Sequence, residues 1–260
     1  LLDYHGNIGK QYNPIAIAQW GLGNYNLWKK YKNEKNFNTF LLSADWMESA
    51  LKRNGKGCKV WMHNFDFEYR DTLKSPWYSG LAQGQGLSVL IRAYQETRNI
   101  KYKDAAKEVY LSLNTEVKNG GVCYLDSDRN MWIEEYIVDP PTHILNGFIW
   151  SLWGIYDFAL CFNDQSAMKI FNNFSNTIST NLHTYDLKYW SKYEHSGTIV
   201  PMIASLFYHK LHITQLRIMH DLTNDDVYFY FYKRWQEYLN KPHFRLLSKI
   251  HKLIFKVFYY

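Results

Sequence analysis

Two glutamates and a tyrosine in a row, Glu134, Glu135 and Tyr136, close a short run of strand-forming residues, MWIEEY, at positions 131–136 of this 260-residue chain. Side chains alternate across a strand, so Met131, Ile133 and Glu135 share one face and Trp132, Glu134 and Tyr136 the other. Only one glutamate can then enter a given cleft unless the strand is bulged. A carboxylate facing phenols suits proton transfer at carbon, one group removing a proton and another delivering it. The competing reading of the same residues is structural, with Glu135 a salt-bridged core edge and Tyr136 a packing residue. Other chemistries find no residues: the sequence holds no Cys/His metal cluster, no G-x-S-x-G elbow and no phosphate loop. His209 and His212 fall at i, i+3, a spacing metals tolerate. With no carboxylate near them in sequence, core or hydrogen-bonding roles fit them better.

The elements that must position these groups are helical. Pro140-Pro141 interrupts regular structure after the strand. From Thr142 to Cys161 the residues have helix spacing but are apolar on every side (Ile144, Leu145, Phe148, Ile149, Leu152, Trp153, Ile155, Tyr156), the mark of an inner helix. Similar helices are expected over 11–31, with Pro14 at the first position, over 77–99 and over 201–222. In the second, Gly80, Ala82, Gly84 and Gly86 would let another backbone approach closely. Each is followed by a more polar helix, over 34–53, 101–115, 165–181 and 225–239. The repeat predicts a mainly α protein in which about four helical hairpins close into an (α/α) toroid over residues 1–240. One or two short β-hairpins accompany it, over 58–69 and over 122–136 with its turn at Asp126-Ser127-Asp128. At one end of such a ring the segments 77–85, 131–143, 185–201 and 208–212 converge. They bring Tyr78, Gln83, Gln85, Glu135, Tyr136, Asn146, Tyr193, Tyr208, His209 and His212 to one place. Residues 182–200 have no strong period and are crowded with tyrosine and tryptophan, which points to a functional loop.

Composition narrows the class. Twenty-two tyrosines and ten tryptophans suit stacking on sugar rings, or simply an aromatic core. The formal charge of +6 is uneven: Lys241, Arg245, Lys249, Lys252 and Lys256, with no acid among 241–260, leave only +1 on the rest. The body is therefore not broadly basic, which argues against a nucleic-acid partner. The tail 241–260 reads as an amphipathic helix, with Leu246, Leu247, Ile250, Leu253, Ile254 and Val257 on one stripe and the cations on another. That pattern fits docking on the inner face of a bacterial membrane; packing onto the toroid or a partner subunit is the alternative. Three cysteines without metal-ligand spacing (Cys58, Cys123, Cys161) suggest a reducing, cytoplasmic setting. No signal peptide or membrane span is visible, and Leu1 leaves room for an upstream segment.

Several of these stretches resemble, in order, the C-terminal catalytic domain of the D-glucuronyl C5-epimerases: WYSGLAQGQGLSVLIRAY, EEY with LNGFIWSLWGIYDF, YDLKYWSKY, and FYHKLHITQL with KRWQEYL. The resemblance runs from about Gln11 to Leu239. It implies an α/α toroid that converts D-glucuronosyl to L-iduronosyl residues in heparan-type polysaccharides without a cofactor or metal, acting on an anionic glucuronate polymer as a homodimer. Carried over by position, the catalytic glutamate matches Glu135 with Tyr136 beside it, the second catalytic group matches Tyr208, and a further active-site tyrosine matches Tyr193. Animal members follow that last tyrosine with Asp-Leu-Arg, the arginine helping to hold the substrate. Here Glu194-His195-Ser196 follows, and the β-rich N-terminal part of animal members is absent. Another cation is then expected to serve the substrate carboxylate: Arg92 or Arg217, with Lys192 and Lys210 behind them, or else Arg92 and Arg217 are structural ion pairs. A uronate lyase, which starts from the same C5 proton abstraction, and a non-catalytic glycan-binding protein are the other readings.

Overall fold

The computed structural model describes residues 1–4, 6 and 8–259. Tyr260, the end of the expected tail, lies outside the described residues. The chain opens with a small antiparallel ladder, β1 (Leu2–Tyr4) on β2 (Gly9–Gln11). Four helical hairpins follow: α1 (Pro14–Tyr31) with α2 (Glu34–Ser49), α3 (Gly80–Thr97) with α4 (Ile100–Leu113), α5 (Leu145–Phe162) with α6 (Gln165–Asn181), and α7 (Leu206–Thr223) with α8 (Asp226–Asn240). A last helix, α9 (Pro242–Tyr259), follows α8 after a single residue.

All four hairpins turn by the same two-residue device. The first residue, Lys32, Arg98, Asn163 or Asn224, takes a left-handed backbone with φ of 50–57° and ends the inner helix. The second, Asn33, Asn99, Asp164 or Asp225, caps the outer helix with its side-chain oxygen; Asp164 accepts from the Ala167 amide at 3.0 Å and Asp225 from Val227 at 2.8 Å. Short turns thus occupy one end of the molecule. The long connections, 50–79, 114–144 and 182–205, all lie at the other, where the inner helices begin.

α3 and α5 form the centre. Their backbones touch where a Cβ on Gly84 would sit 2.1 Å from Ser151 Cα, and one on Gly154 would sit 2.2 Å from the Gly84 carbonyl oxygen. No side chain fits either position, which is why these inner helices carry glycine despite its helix cost. Leu87, Leu90, Phe148, Leu152, Ile155, Phe171, Phe174, Leu216 and Met219 fill one continuous core around this crossing. α1 packs on α3, α3 on α5 and α5 on α7. Among the described residues α1 and α7 are not packed on one another in the same way, and both instead line the cleft described below.

Strand is more frequent than the sequence suggested. Besides β1–β2 there are β3 (Lys52–Arg53) on β4 (Lys59–Val60), β5 (Met62–His63) on β8 (Trp77–Tyr78), β6 (Phe67–Glu68) on β7 (Thr72–Leu73), and β9 (Cys123–Leu125) on β10 (Met131–Ile133). All are antiparallel, and most are two residues long, too short to show a period. The same connections delay the helices: α2 stops at Ser49 because Lys52-Arg53 pairs as strand. α5 waits until Leu145 because the amides of Thr142 and His143 are taken by the Glu134 carboxylate. α7 starts at Leu206, not 201, with Lys192 and Ile203 bridged before it.

Candidate active site

The two glutamates part company where β10 ends. Glu134 turns to the loop: its carboxylate receives the His143 amide at 3.1 Å, and the His143 ring nitrogen lies 2.5 Å from its other oxygen. Its carbonyl accepts the Gly80 amide at 3.0 Å, tying the strand end to the start of α3. Glu135 turns the other way, into a cleft of about 530 Å³, within the range of small-ligand pockets, roughly 300–1,000 Å³. Tyr136 enters the same cleft, which strict alternation forbids. Extended pairing stops at Ile133, and the bend at 135–136 brings consecutive side chains to one side.

The inner helices deliver the remaining walls by their first two turns: Ile15 and Gln19 from α1, Leu81 from α3, Asn146 and Trp150 from α5, Phe207 and Tyr208 from α7. Tyr4, Asn13, Phe67 and Trp77 complete it. Asn13 both caps α1, accepting from Ile15 at 2.8 Å, and donates to the Tyr4 hydroxyl. Tyr136 is held in an aromatic surround of Phe67, Tyr69 and Trp77, ring centroids 5.9, 4.6 and 5.8 Å away. Tyr69 in turn donates to the buried Glu194 carboxylate, and Arg70 Nη1 donates to the Pro140 carbonyl at 3.0 Å, clipping the hairpin of β6 and β7 to both neighbouring loops.

Glu135 lies against the first turn of α5. Its Oε2 has no hydrogen-bond partner, and a Cβ on Gly147 would come within 2.0 Å of it. Burial raises its pKa to about 8; a hydrogen bond from Tyr136 pulls the other way, and the nearby Glu134 adds to the rise. Tyr193 and Tyr208 meet edge to face at 4.9 Å. Tyr208 is pushed up by burial and by Glu135, while Tyr193 donates to it and holds it down. Tyr193 is fixed from both sides, its carbonyl accepting the Leu145 amide at 3.2 Å and its amide donating to Met202 at 2.8 Å. We expect Gly147→Ala to lower turnover at least tenfold by displacing the Glu135 carboxyl, with a modest loss of melting temperature; unchanged turnover would show that the carboxyl need not sit there.

Other expected site residues are elsewhere. Tyr78 faces the core and Asn54; its neighbour Trp77 takes the cleft side of β8. Gln83 and Gln85 are buried in α3 and do not line the cleft. Arg92 is bound to Asp157 of α5, nine residues or roughly 13 Å up the helix from Gln83. Arg217 is exposed on α7, and Lys210 is exposed as well. His209 and His212 are core groups: both share the Ser191 hydroxyl at 2.8 and 3.0 Å, and His209 stacks on Trp190 at 3.8 Å. Among the described residues lining the cleft there is no lysine, arginine or histidine, so neither proposed cation supplies the charge. The cleft instead presents amide side chains, phenols and the N-terminal ends of four inner helices, whose dipoles place partial positive charge there although caps already take the amides of Ile15, Ala16, Ala82 and Tyr208. Among the described residues no group of three or more His, Cys, Asp or Glu could hold a metal ion.

Solved structures share the architecture. A cellobiose 2-epimerase from Bacillus thermoamylovorans B4167 superposes with a TM-score of 0.63 at 11% identity, covering 87% of this chain and 59% of that one. An unsaturated glucuronyl hydrolase specific for heparin gives 0.58 at 11% identity, over 88% and 64%. These matches define the protein as an (α/α) toroid. Its sequence goes further: residues 55–237 match the family described as D-glucuronyl C5-epimerase C-terminus, and the chain belongs to that family. It is 28% identical over 222 residues to the D-glucuronyl C5-epimerase of Caenorhabditis elegans, covering 80% of this chain and 36% of that protein. An uncharacterised protein of Methanocaldococcus jannaschii is 29% identical over 181 residues, 68% of this chain and 57% of the relative. The chain thus spans little more than half, or less, of the curated relatives it matches.

Proposed function

We propose that the cleft inverts C5 of a D-glucuronosyl residue within an anionic glycan, giving the L-iduronosyl epimer. The observation that carries this reading is that Glu135 and Tyr208, on different elements, line one cleft with Tyr136 and Asn146. Inversion needs a base on one ring face and an acid on the other. The base takes the C5 hydrogen as a proton, the C–H electron pair passes into the adjoining carboxylate as an enolate, and the opposite acid returns a proton to C5. Glu135 and Tyr208 fill these two roles, exchanging them in the reverse direction. A carboxyl near 8 sits close to neutral operating pH, where general acid–base groups work best. Tyr193 steadies charge on Tyr208 by its donated hydrogen bond. The growing enolate charge is met by Asn146 and Tyr136, preorganised donors that need not rearrange. A homodimer, by likeness to the family, would leave this chemistry within each chain.

The test is to incubate the protein with unsulfated and sulfated glucuronate polymers in deuterated water. Deuterium at C5, with iduronate formed, is the expected result. An ultraviolet-absorbing unsaturated uronate would replace epimerisation by elimination. Binding without label at C5 would overturn the catalytic reading.

A further inference from the structure

We infer that α9 is a docking surface for an anionic lipid bilayer. The helix has three faces, separable by its 100° rotation per residue. One rests on the protein: Phe244 against Tyr189 and Tyr238, Ser248 and Phe255 buried, and His251 bonded to the Pro201 carbonyl at 2.8 Å and the Tyr189 hydroxyl at 2.5 Å. Tyr259 ends this face, accepting the Val200 amide at 3.3 Å. The apolar stripe is not the face that packs. Leu246, Leu253, Val257 and Phe258 are 60%, 66%, 76% and 69% exposed, and Leu247, Ile250 and Ile254 are exposed beside them. Arg245, Lys249, Lys252 and Lys256 form the third face, between the stripe and the body, with no ion pair among the described residues.

Those cations border a groove of about 390 Å³ that Arg245, Lys249, Lys252 and Trp190 line without any carboxylate. A row of cations beside a continuous apolar ridge fits lipid headgroups and the acyl boundary beneath them. Charge selects this occupant over the others. A second copy laid on the same stripe would bring a second set of four cations and no acid to meet them. A soluble polyanion would use the cations and leave the ridge in water. No helix among the described residues is long and apolar enough to cross a membrane, so α9 would lie in the interface. Leu206, the first residue of α7, also lines the groove, two residues before Tyr208. Docking would therefore set the membrane beside the start of the helix that carries a cleft residue.

The full chain is to be sedimented with vesicles of phosphatidylcholine alone and of equal parts phosphatidylcholine and phosphatidylglycerol. Binding to the second only, weakened by salt, is expected. The pair Leu253→Asp/Val257→Asp and the pair Lys249→Glu/Lys256→Glu should each lower partitioning at least tenfold. Because these side chains are exposed, melting temperature and any C5 exchange on a soluble polymer should stay as in wild type. Equal binding of the stripe variant, or no binding of wild type to anionic vesicles, overturns the inference. So does a wild-type dimer that the stripe variant splits, which would assign the ridge to a second copy. Sedimentation reads docking whether or not the cleft epimerises anything.

Discussion

Glu135→Gln should abolish C5 exchange and at the same time make the protein more stable in alkali. The first effect follows from losing a proton carrier at the reacting carbon, a loss of roughly 10²–10⁴-fold in turnover. The second follows from burial. In the folded protein the carboxyl keeps its proton up to about pH 8, against 4.5 when exposed. Between those values the folded state binds a proton that the unfolded state has released, so stability falls as pH rises through this window, and the full cost remains above it. Glutamine cannot ionise, so its advantage should be absent near pH 4 and reach on the order of 5 kcal/mol above pH 8. Urea unfolding of both proteins at pH 4.5, 7 and 9 checks it. Parallel curves at all three would mean that Glu135 is solvated or paired in solution, and the cleft described above would be wrong.

Tyr208→Phe should cost a comparable factor in turnover with little change in substrate affinity, because the phenol acts on the proton and not on the sugar's hold. Its neighbour separates a proton carrier from a mere wall. Tyr193→Phe removes the hydrogen bond that holds Tyr208 down, so any limb of the pH–rate profile that reports Tyr208 should move to higher pH. The loss in rate at neutral pH should be smaller than for Tyr208→Phe. Rate profiles of both variants, with melting temperatures as the folding control, decide. A Tyr193→Phe profile that loses height without shifting would reduce Tyr193 to packing.

How much of this was readable beforehand depends on the scale of the signal. The inner and outer helices were legible because eighteen-residue helices such as α3 and α5 give several turns of period, and α6 was placed to the residue, at Gln165–Asn181. Alternation correctly separated Glu134 from Glu135. It failed one residue later, at Tyr136, because it holds only while the chain stays extended. The same limit put Tyr78 in the cleft where Trp77 belongs, and hid Phe67 and Tyr69 altogether, since β6 and β8 are two residues long. Helix spacing says which side of α3 Arg92 occupies but not which partner waits for it; Asp157, sixty-five positions away, is not visible from there. His209 and His212 show the converse. Their spacing, with no carboxylate near, already favoured core or hydrogen-bonding roles over a metal, but the partners that hold them, Trp190 and Ser191, appear only in the packing. Asn13 stood beside the expected first helical residue, Pro14, with nothing to mark it as a wall of the cleft.

Because α1 and α7 both line the cleft of Glu135 without packing on one another as the other inner helices do, that cleft, on the proposed reading, would be a trench and not a tunnel. A long linear strand could be laid into such a trench broadside and lifted out again, with neither of its ends threaded through the protein. Interior units of a growing chain would then be as accessible as terminal ones, and successive visits need not follow one another along the strand.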